Sequence, residues 1–365
     1  MLSRTSLLVI ALTLAFVSDA SSLGDGAVIR ITTWNLEWFP NGSPKRIPAE
    51  EQAKRIAAAA DVLRPLNSDI LLLQEVQDYD ACARLAEAIR PHTYQVAICS
   101  AFKGGEQQVA ILGKEPAQAA WAEPWKSMEG VDPPRGFAFA WFKIGNGNIG
   151  VYSVHLKSNL IMRGNKEVET ARNIRKREVA TDQLLNHLRD IIATAISSIK
   201  TVIIGGDFNT NKDQPMFAFE KTLSTLTDAG FRNCMEGLPL VKRVTHPGNH
   251  GFPDATFDYL FSVNAASRPA LITPSDASDH YPVTCDFTIK GENASVPGQM
   301  HSAAITRLYL EEGVWPPPIP ITGDNPRALP GSWPTVLVLH ACENRMDTAR
   351  QIENLKSAPI SICSF

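Results

Sequence analysis

The stretch that decides the fold is TVIIGGDFNTN, residues 201–211. Residues 202–204 are consecutive β-branched side chains bounded by glycine, a pattern typical of a strand that is covered on both faces. The run then turns polar at Asp207 and Asn209. Because ligand sites in α/β proteins form where strands end, the polar end of this strand predicts a functional site.

Five further segments change from apolar to polar in the same way. They are TWNLEW with Asn35 and Glu37, LLLQEV with Glu75, VHLKS with His155 and Lys157, FDYLF with Asp258, and SDHYPV with Asp279 and His280. Any one of these residues alone is typical of a strand terminus, a turn or a satisfied core histidine. Together, on neighbouring strands, they would gather on one rim of a sheet.

The predicted rim is rich in oxygen ligands. Carboxylates that crowd together repel one another unless a cation lies among them. Oxygen atoms from Asp, Glu and Asn suit Mg²⁺, Mn²⁺ or Ca²⁺ better than Zn²⁺. The two histidines are then available for phosphate contact or proton transfer.

Composition limits the classes of protein to consider. The 365 residues are 44% hydrophobic, which is enough for one large α/β domain with a smaller appendage. The net charge is −3, so the chain has no global positive charge that would attract a nucleic acid. Any anionic substrate must therefore be met by local charge or by a metal ion.

The chain divides into four parts. Residues 1–22 are predicted to be a signal peptide, because an apolar run from Leu7 to Val17 is followed by small residues; an uncleaved anchor is the alternative. We therefore expect a secreted protein, extracellular or periplasmic. Residues 23–290 are predicted to form the catalytic domain, and residues 291–334 a Pro-rich linker. Residues 335–365 form a C-terminal tail to which we assign no role.

Short apolar runs alternate with amphipathic stretches throughout the predicted domain, as in α/β proteins. Two helices are predicted, Ala49–Leu66 and Val168–Ser197. The strands are predicted at Val28–Trp34, Ile70–Gln74, Gln95–Cys99, Gln108–Leu112, Phe137–Phe142, Gly150–His155, Thr201–Gly205, Thr256–Ser262 and Val283–Ile289.

The six cysteines favour disulfides over metal ligation in an exported protein, because none form a CxxC pair. Pairing in sequence order, beginning with Cys82 and Cys99, is the weakly preferred connectivity. Buried, reduced cysteines are the alternative.

The six segments, in this order and spacing, resemble the metal-dependent endonuclease/exonuclease/phosphatase superfamily. That superfamily includes pancreatic-type deoxyribonucleases, abasic-site endonucleases, sphingomyelinases and inositol polyphosphate phosphatases. The resemblance extends over residues 28–290. It implies an α/β fold, a four-layer α/β/β/α sandwich of two packed mixed sheets with outer helices, and an active site at the rim where strand ends meet.

The resemblance also implies a metal site. Glu75 is expected to be the principal carboxylate ligand of Mg²⁺, with Mn²⁺ or Ca²⁺ as alternatives. Asn35 belongs to the same end of the site, and Asp279 is expected to approach the metal. Glu37 matches a second-metal ligand of the abasic-site branch; a solvated surface carboxylate is an equal alternative.

Catalytic roles follow from the same resemblance. Asp207 is expected to orient or deprotonate the attacking water, and Asn209 to contact the phosphate. His280 would bind or protonate a phosphate oxygen, while Asp258 orients that histidine. His155 matches the histidine that several branches place over the scissile phosphate.

Two further residues have supporting roles. Glu106 falls where the deoxyribonuclease branch has an acid that supports the histidine. Lys157 follows the His155 strand and is a candidate to contact a substrate phosphate, although an exposed lysine after a strand is common.

The function expected from these residues is phosphodiester hydrolysis by a monomeric enzyme without stable membrane association. A nuclease is favoured, because a basic run at residues 163–177 would follow a phosphate backbone. A solvated helix face is the alternative for that run. A phosphodiesterase or phosphatase acting on a lipid headgroup or small ester is the second hypothesis, with loops at Trp121 and Trp125 as membrane contacts. A catalytically inactive binding protein is the third.

Overall fold

The computed structural model describes residues 27–102, 107–161, 163–193, 199–248 and 253–289. The predicted signal peptide, linker and C-terminal tail lie outside the described residues, and so does Glu106. Within these ranges, none of the helices is both long enough and apolar enough to cross a membrane.

The described residues form thirteen strands and four α-helices. The helices are α1 (Ala49–Leu66), α2 (Tyr79–Ala88), α3 (Lys166–Ala193) and α4 (Thr222–Asp228). The strands are β1 (Ala27–Phe39), β2 (Ile70–Val76), β3 (Gln95–Cys99), β4 (Gln108–Gly113), β5 (Ala119–Pro124), β6 (Gly136–Ile144), β7 (Gly147–His155), β8 (Thr201–Asp207), β9 (Arg232–Asn233), β10 (Asp258–Val263), β11 (Ala265–Ser267), β12 (Leu271–Ile272) and β13 (Val283–Ile289).

The strands form two mixed sheets. The first has the order β11-β13-β1-β2-β4-β3, with β12 paired to β13, and the second has the order β5-β6-β7-β8-β10-β9. Each sheet contains one parallel pair, β1 with β2 and β7 with β8. In the second sheet the parallel register ends with His155 opposite Asp207. The two parallel pairs therefore deliver polar residues to the same rim.

Alternation along β2 shows how the layers are built. Leu71 and Leu73 pack in a core with α1 and α2, whereas Ile70 and Leu72 pack in the core shared with the second sheet. Successive residues of a strand point to opposite faces, so a buried strand needs apolar residues on both. Helix α3 covers the second sheet through residues such as Leu184. The four-layer α/β/β/α sandwich is thus confirmed.

The two glycines of the opening stretch allow close packing just before Asp207. A Cβ atom on Gly205 would lie 2.6 Å from Leu72 Cδ1 in the facing sheet. Gly206 has φ of +155°, and its Cβ would lie 1.9 Å from the carbonyl oxygen of Val154 on the neighbouring strand. Side chains at these positions would push β8 away from both neighbours.

The cysteines pair as neighbours without forming disulfides. Cys82, Cys99, Cys234 and Cys285 are free, buried thiols. The neighbouring Cys99 thiol and burial raise the pKa of Cys82. The Cys285 thiol donates to the Arg268 carbonyl oxygen at 3.0 Å, and the neighbouring Cys234 thiol and burial raise its pKa. The cysteines that are consecutive in sequence are therefore neighbours, but they are reduced thiols, as the alternative to disulfides predicts. The remaining two cysteines lie outside the described residues.

Candidate active site

The candidate site is a seam between the two sheets. Asn35 and Glu75 come from the first sheet, and His155, Asp207 and Asp258 lie at strand ends of the second. The segment that precedes β13 contributes Asp279 and His280. The structure therefore brings together at least one predicted residue from each of the six sequence segments.

Two side chains link carboxylates from opposite sheets. The Asn35 amide Nδ2 donates to Glu75 Oε1 at 3.1 Å and to Asp207 Oδ2 at 3.0 Å. His155 Nε2 lies 3.8 Å from the same Glu75 oxygen and 3.5 Å from the same Asp207 oxygen. These contacts hold the two acids close together at the bottom of the rim.

Local backbone geometry fixes Glu75. Its φ is +58°, where β2 shows an irregular register before Val76. Its second oxygen, Oε2, accepts a hydrogen bond from the Trp38 backbone N–H at 3.0 Å. Burial raises the pKa of Glu75, because the ionised carboxylate is removed from water.

Asp207 is organised by the turn that follows β8. Its Oδ1 accepts a hydrogen bond from the Asn209 backbone N–H at 2.8 Å, and Asn209 has φ of +53°. The Asn209 side chain donates to the carbonyl oxygen of Leu156 at 3.2 Å. Burial raises the pKa of Asp207 to about 7, although the nearby His280 opposes the shift.

His280 is held as a cation between two acids. Its Nδ1 lies 2.7 Å from Asp258 Oδ2, and its Nε2 lies 3.8 Å from Asp207 Oδ2. Burial alone would lower its pKa, but Asp258 and Asp207 outweigh that effect and raise the pKa of His280 to about 10. The backbone is fixed too, since Trp34 Nε1 donates to the His280 carbonyl at 2.8 Å.

His155 is the electrostatic opposite of His280. Burial, together with the positive charges of Arg135 and His280, lowers the pKa of His155 well below its ordinary value. Its imidazole is therefore neutral at physiological pH. Its Nδ1 is buried and has no hydrogen-bond partner among the described residues.

Asp279 lies at the open side of the seam, with 47% of its side chain exposed. The neighbouring His246 was not predicted from the sequence. Its Nε2 lies 4.0 Å from Asp279 Oδ2, and its ring centroid lies 4.8 Å from that of His280. Its segment, VTHPGNH, is not a polar strand end, so the signal that found the other residues was absent.

The remaining predicted residues are less directly engaged. Glu37 Oε2 is ion-paired with Arg55 at 3.2 Å, and burial and the Asp279 charge raise its pKa. Lys157 is half-buried beyond the end of β7, where its Nζ donates to the Ser158 carbonyl at 3.0 Å. Neither contact brings the side chain into the cluster of Glu75 and Asp207.

The donor set fits a hard divalent cation. Two groups each place ligand atoms within 4.8 Å of one another, namely Asp207, Asp258 and His280, and His246, Asp279 and His280. Asp258 Oδ1 is also buried without a hydrogen-bond partner among the residues described. Carboxylate oxygens whose negative charge is poorly compensated suit Mg²⁺, Mn²⁺ or Ca²⁺. Both groups include His280, which is poorly suited as a ligand because its Nδ1 is tied to Asp258 and its pKa is raised. The carboxylates of the seam therefore remain as the candidate ligands.

A seam of carboxylates and histidines between two packed mixed sheets is typical of metal-dependent phosphoester hydrolases. The family model for the Endonuclease/Exonuclease/phosphatase family matches residues 32–280. The chain therefore belongs to this family. No curated protein matches the sequence significantly.

Solved structures show the same fold at low identity. An endonuclease/exonuclease/phosphatase from Beutenbergia cavernae is 17% identical with a TM-score of 0.55, covering 73% of each chain. TDP2 from C. elegans is 18% identical with a TM-score of 0.51, covering 73% of this chain and 78% of its own. An endonuclease/exonuclease/phosphatase family protein from Bacteroides thetaiotaomicron is 12% identical with a TM-score of 0.51, and the match covers 73% of this chain and 100% of that protein.

Proposed function

We propose that this protein is a secreted, metal-dependent phosphodiester hydrolase that cleaves nucleic acid. The observation that carries the hydrolase proposal is the linkage of Glu75 and Asp207 across the two sheets, beside a histidine cation. This geometry places a buried base and a proton donor within one small volume. Family membership supports phosphoester chemistry as the reaction class.

The base of the proposed reaction is Asp207. Its pKa of about 7 suits a group that accepts a proton from water near neutral pH. The Asn209 N–H and the Asn35 amide hold its two oxygens in fixed positions. An attacking water would therefore meet a carboxylate whose orientation is already set, which lowers the entropic cost of the reaction.

The two histidines have different tasks because their charges differ. His280, a cation held by Asp258, donates a hydrogen bond or a proton to a phosphoryl oxygen as negative charge develops there. His155 is neutral, so its Nε2 contacts the phosphate through a hydrogen bond without adding charge. The second N–H of the Asn209 amide is available for a further phosphate contact.

Glu75 and Asp279 are the residues that would hold the metal ion, with Asn35 at the same end of the site. Mg²⁺ is the proposed ion, and Mn²⁺ or Ca²⁺ are alternatives with the same preference for oxygen ligands. Such an ion, when bound, neutralises charge on the phosphoryl oxygens. Glu37 is a weaker candidate for a second metal, because its carboxylate is already paired with Arg55.

The basic run at residues 163–177, which favoured a nuclease in the sequence, is largely neutralised or buried in the structure. Arg177 is fully buried against Glu220, and Arg172 and Arg175 are paired with acids. The exposed residues left to meet a phosphate backbone are Arg163 and Lys166, and Lys176 is half-buried. Nucleic-acid binding therefore needs local charge closer to the seam.

The lipid-headgroup alternative loses its proposed membrane contact. Trp121 lies in β5 at 8% exposure, and Trp125 follows at 6%. Both rings pack against Phe139 or Phe137 of the second sheet. They are part of the core and are not available for insertion into a membrane.

The test is hydrolysis by the purified protein of plasmid DNA, RNA, sphingomyelin and bis-p-nitrophenyl phosphate, each with Mg²⁺, Mn²⁺ or Ca²⁺. We expect cleavage of nucleic acid, and a loss of several orders of magnitude in Asp207→Asn with the circular dichroism spectrum unchanged. Intact nucleic acids beside a cleaved lipid would refute the nuclease assignment. No cleavage of any substrate would support an inactive binding protein.

Secretion is tested separately. The proposal is supported by the apolar run and small residues within the first 22 residues. N-terminal sequencing of the protein recovered from the medium or periplasm should show a chain that begins near residue 23. Recovery with the full N-terminus on the cell membrane would instead indicate an anchor. We also propose a monomer, and a sedimentation measurement checks this.

A further inference from the structure

Four cationic side chains interact at the end of β7 next to the seam: two arginines contact its backbone, and the charge of a second lysine acts on Lys157. We call Arg135, Lys157, Lys176 and Arg177 the basic cluster. Arg135 precedes β6, Lys157 follows β7, and the other two lie on α3. The basic run considered from the sequence contains only Lys176 and Arg177 of these four residues, so the cluster becomes apparent only in the fold.

The two guanidinium groups fix the backbone that bears Lys157. Arg135 Nε donates to the His155 carbonyl at 3.1 Å, and its Nη2 donates to the Leu156 carbonyl at 2.7 Å. Arg177 Nη1 donates to the Lys157 carbonyl at 2.8 Å. Three successive carbonyl groups are thus held by arginines, which fixes the position of Lys157 relative to His155.

The charges on the two lysines are poorly neutralised. Lys157 Nζ donates to the Ser158 carbonyl, a neutral acceptor. Within the described ranges neither Lys157 nor Lys176 lies at ion-pair distance from a carboxylate. Burial, together with Arg135, Lys176 and Arg177, lowers the pKa of Lys157 to about 8, and the more distant charge of Glu169 offsets only part of that shift. An anion beside Lys157 would relieve this repulsion.

The position of Lys157 suits a second phosphate group. His155 and Lys157 are two residues apart, a separation of about 7 Å along an extended chain. That separation is similar to the distance between consecutive phosphates of a polynucleotide. A lysine ammonium binds phosphate as a point charge and needs no fixed partner geometry.

We propose that Lys157 and Lys176 form a second phosphate-binding subsite, which holds the phosphate adjacent to the scissile one in a polynucleotide. This inference rests on the proposed function and deepens it, since it states that the substrate has more than one phosphodiester. A small ester or a lipid with a single phosphodiester leaves the subsite empty. The subsite therefore favours polynucleotides over both alternatives.

The test compares two substrates and three variants. The substrates are a short oligonucleotide and bis-p-nitrophenyl phosphate, which has one phosphodiester and no neighbour. Lys157→Met and Lys176→Met each remove a charge while keeping an unbranched side chain. Lys143→Met is the matched control, because Lys143 is exposed at the opposite end of the β6–β7 hairpin.

In Lys157→Met we expect the ratio of kcat/KM for the oligonucleotide to that for the small diester to fall about tenfold, mainly through KM. The slope of log KM against log salt for the oligonucleotide should decrease by about one, which corresponds to the loss of one phosphate contact. Lys176→Met should change the ratio and the slope in the same direction. Because it leaves Lys157 in place, it tests the subsite even if Lys157→Met fails to fold. Lys143→Met should leave both substrates unaffected.

Different failures have different meanings. If the parent enzyme cleaves the oligonucleotide but neither variant changes the ratio, the subsite is refuted and the nuclease proposal stands. If Lys157→Met lowers activity on both substrates equally, Lys157 serves the scissile phosphate and the subsite is again refuted. If the parent enzyme cleaves the small diester alone, the nucleic-acid substrate and the subsite are both refuted.

Discussion

The buried ion pair of Arg177 and Glu220 gives a prediction whose magnitude follows from its contacts. The side chains are 0% and 1% exposed, and the guanidinium donates to both Glu220 oxygens, at 2.7 and 2.6 Å. Thr222 donates its hydroxyl to Glu220 as well, at 2.6 Å. Glu220→Gln keeps the shape but leaves a buried guanidinium without a counter-charge. Removal of one partner of such a pair costs about 3–5 kcal/mol.

The measurement is equilibrium unfolding of the purified variants by heat and by urea. For a domain of this size each kcal/mol corresponds to about 2–4 °C, so we expect Glu220→Gln to lower Tm by on the order of 10 °C. Arg172→Gln is the matched control on the same helix. Arg172 pairs with Glu169 at 2.6 Å, but its side chain is 58% exposed, and such pairs contribute less than about 1 kcal/mol.

A double replacement separates the lost charge from the lost packing. Arg177→Met with Glu220→Leu removes both charges, so part of the stability lost in Glu220→Gln should return. Recovery should stay incomplete, because Arg177 also donates to the Lys157 carbonyl and to Asn159 Oδ1. A Glu220→Gln variant no less stable than Arg172→Gln would show that the pair contributes little and refute this reasoning.

The remaining predictions concern the seam. Asp258→Asn removes the strongest influence that raises the pKa of His280. The alkaline limb of the pH–rate profile should therefore move to lower pH. A limb that does not move would contradict the role of His280 as the acid. Removal of divalent cations with EDTA should abolish hydrolysis, and added Mg²⁺ should restore it; activity that persists in EDTA would contradict the metal site. Gly206→Ala should destabilise the protein by about 3 kcal/mol or more, because its Cβ would meet the Val154 carbonyl. Gly230→Ala, with φ of +88° and no atom within 4 Å of the added Cβ, is the control with a smaller loss, and equal losses in the denaturation midpoint would count against the clash.

The strands were predictable where apolar runs were long. Gln95–Cys99 and Val283–Ile289 have the predicted bounds, and α1 does as well. In contrast β1 continues past Trp34 to Phe39, because Phe39 pairs with Val76 of β2 beyond an irregular stretch in which Glu37 and Trp38 have positive φ values. The predicted strand at Thr256–Ser262 begins at Asp258 instead.

Other elements depend on tertiary contacts and were missed. Helix α2 is short and alanine-rich, although its N-cap, where Asp78 accepts a hydrogen bond from the Ala81 N–H, is a recognisable signal. Strand β5 ends in Pro124 and forms one edge of the second sheet, so its pairing with β6 decides its conformation. The short strands and helix missing from the prediction are too brief for a periodic pattern.

The sequence indicates which polar residues lie at strand ends, but it does not indicate the distances between them. Polar side chains at strand ends can be recognised in the sequence because they interrupt apolar runs, as Asp207 and Glu75 do. The distances between them depend on how two sheets pack, and no single segment contains that information. His246 lies in an irregular segment, and its backbone is held beside the site by an isolated bridge to Ala255. The charge state of each histidine likewise depends on neighbours that are far apart in sequence.

The seam also makes catalysis a sensitive reporter of tertiary order. Asn35 donates to Glu75 within its own sheet and to Asp207 in the other, so a slight separation of the layers breaks the second contact and leaves the first. Partial loosening at acid pH, as in compact states that keep secondary structure but lose fixed packing, would disperse the groups that act on the phosphate. Inactivation should therefore precede the loss of far-ultraviolet circular dichroism on gentle denaturation. Turnover would then register the onset of loosening before spectroscopy detects unfolding.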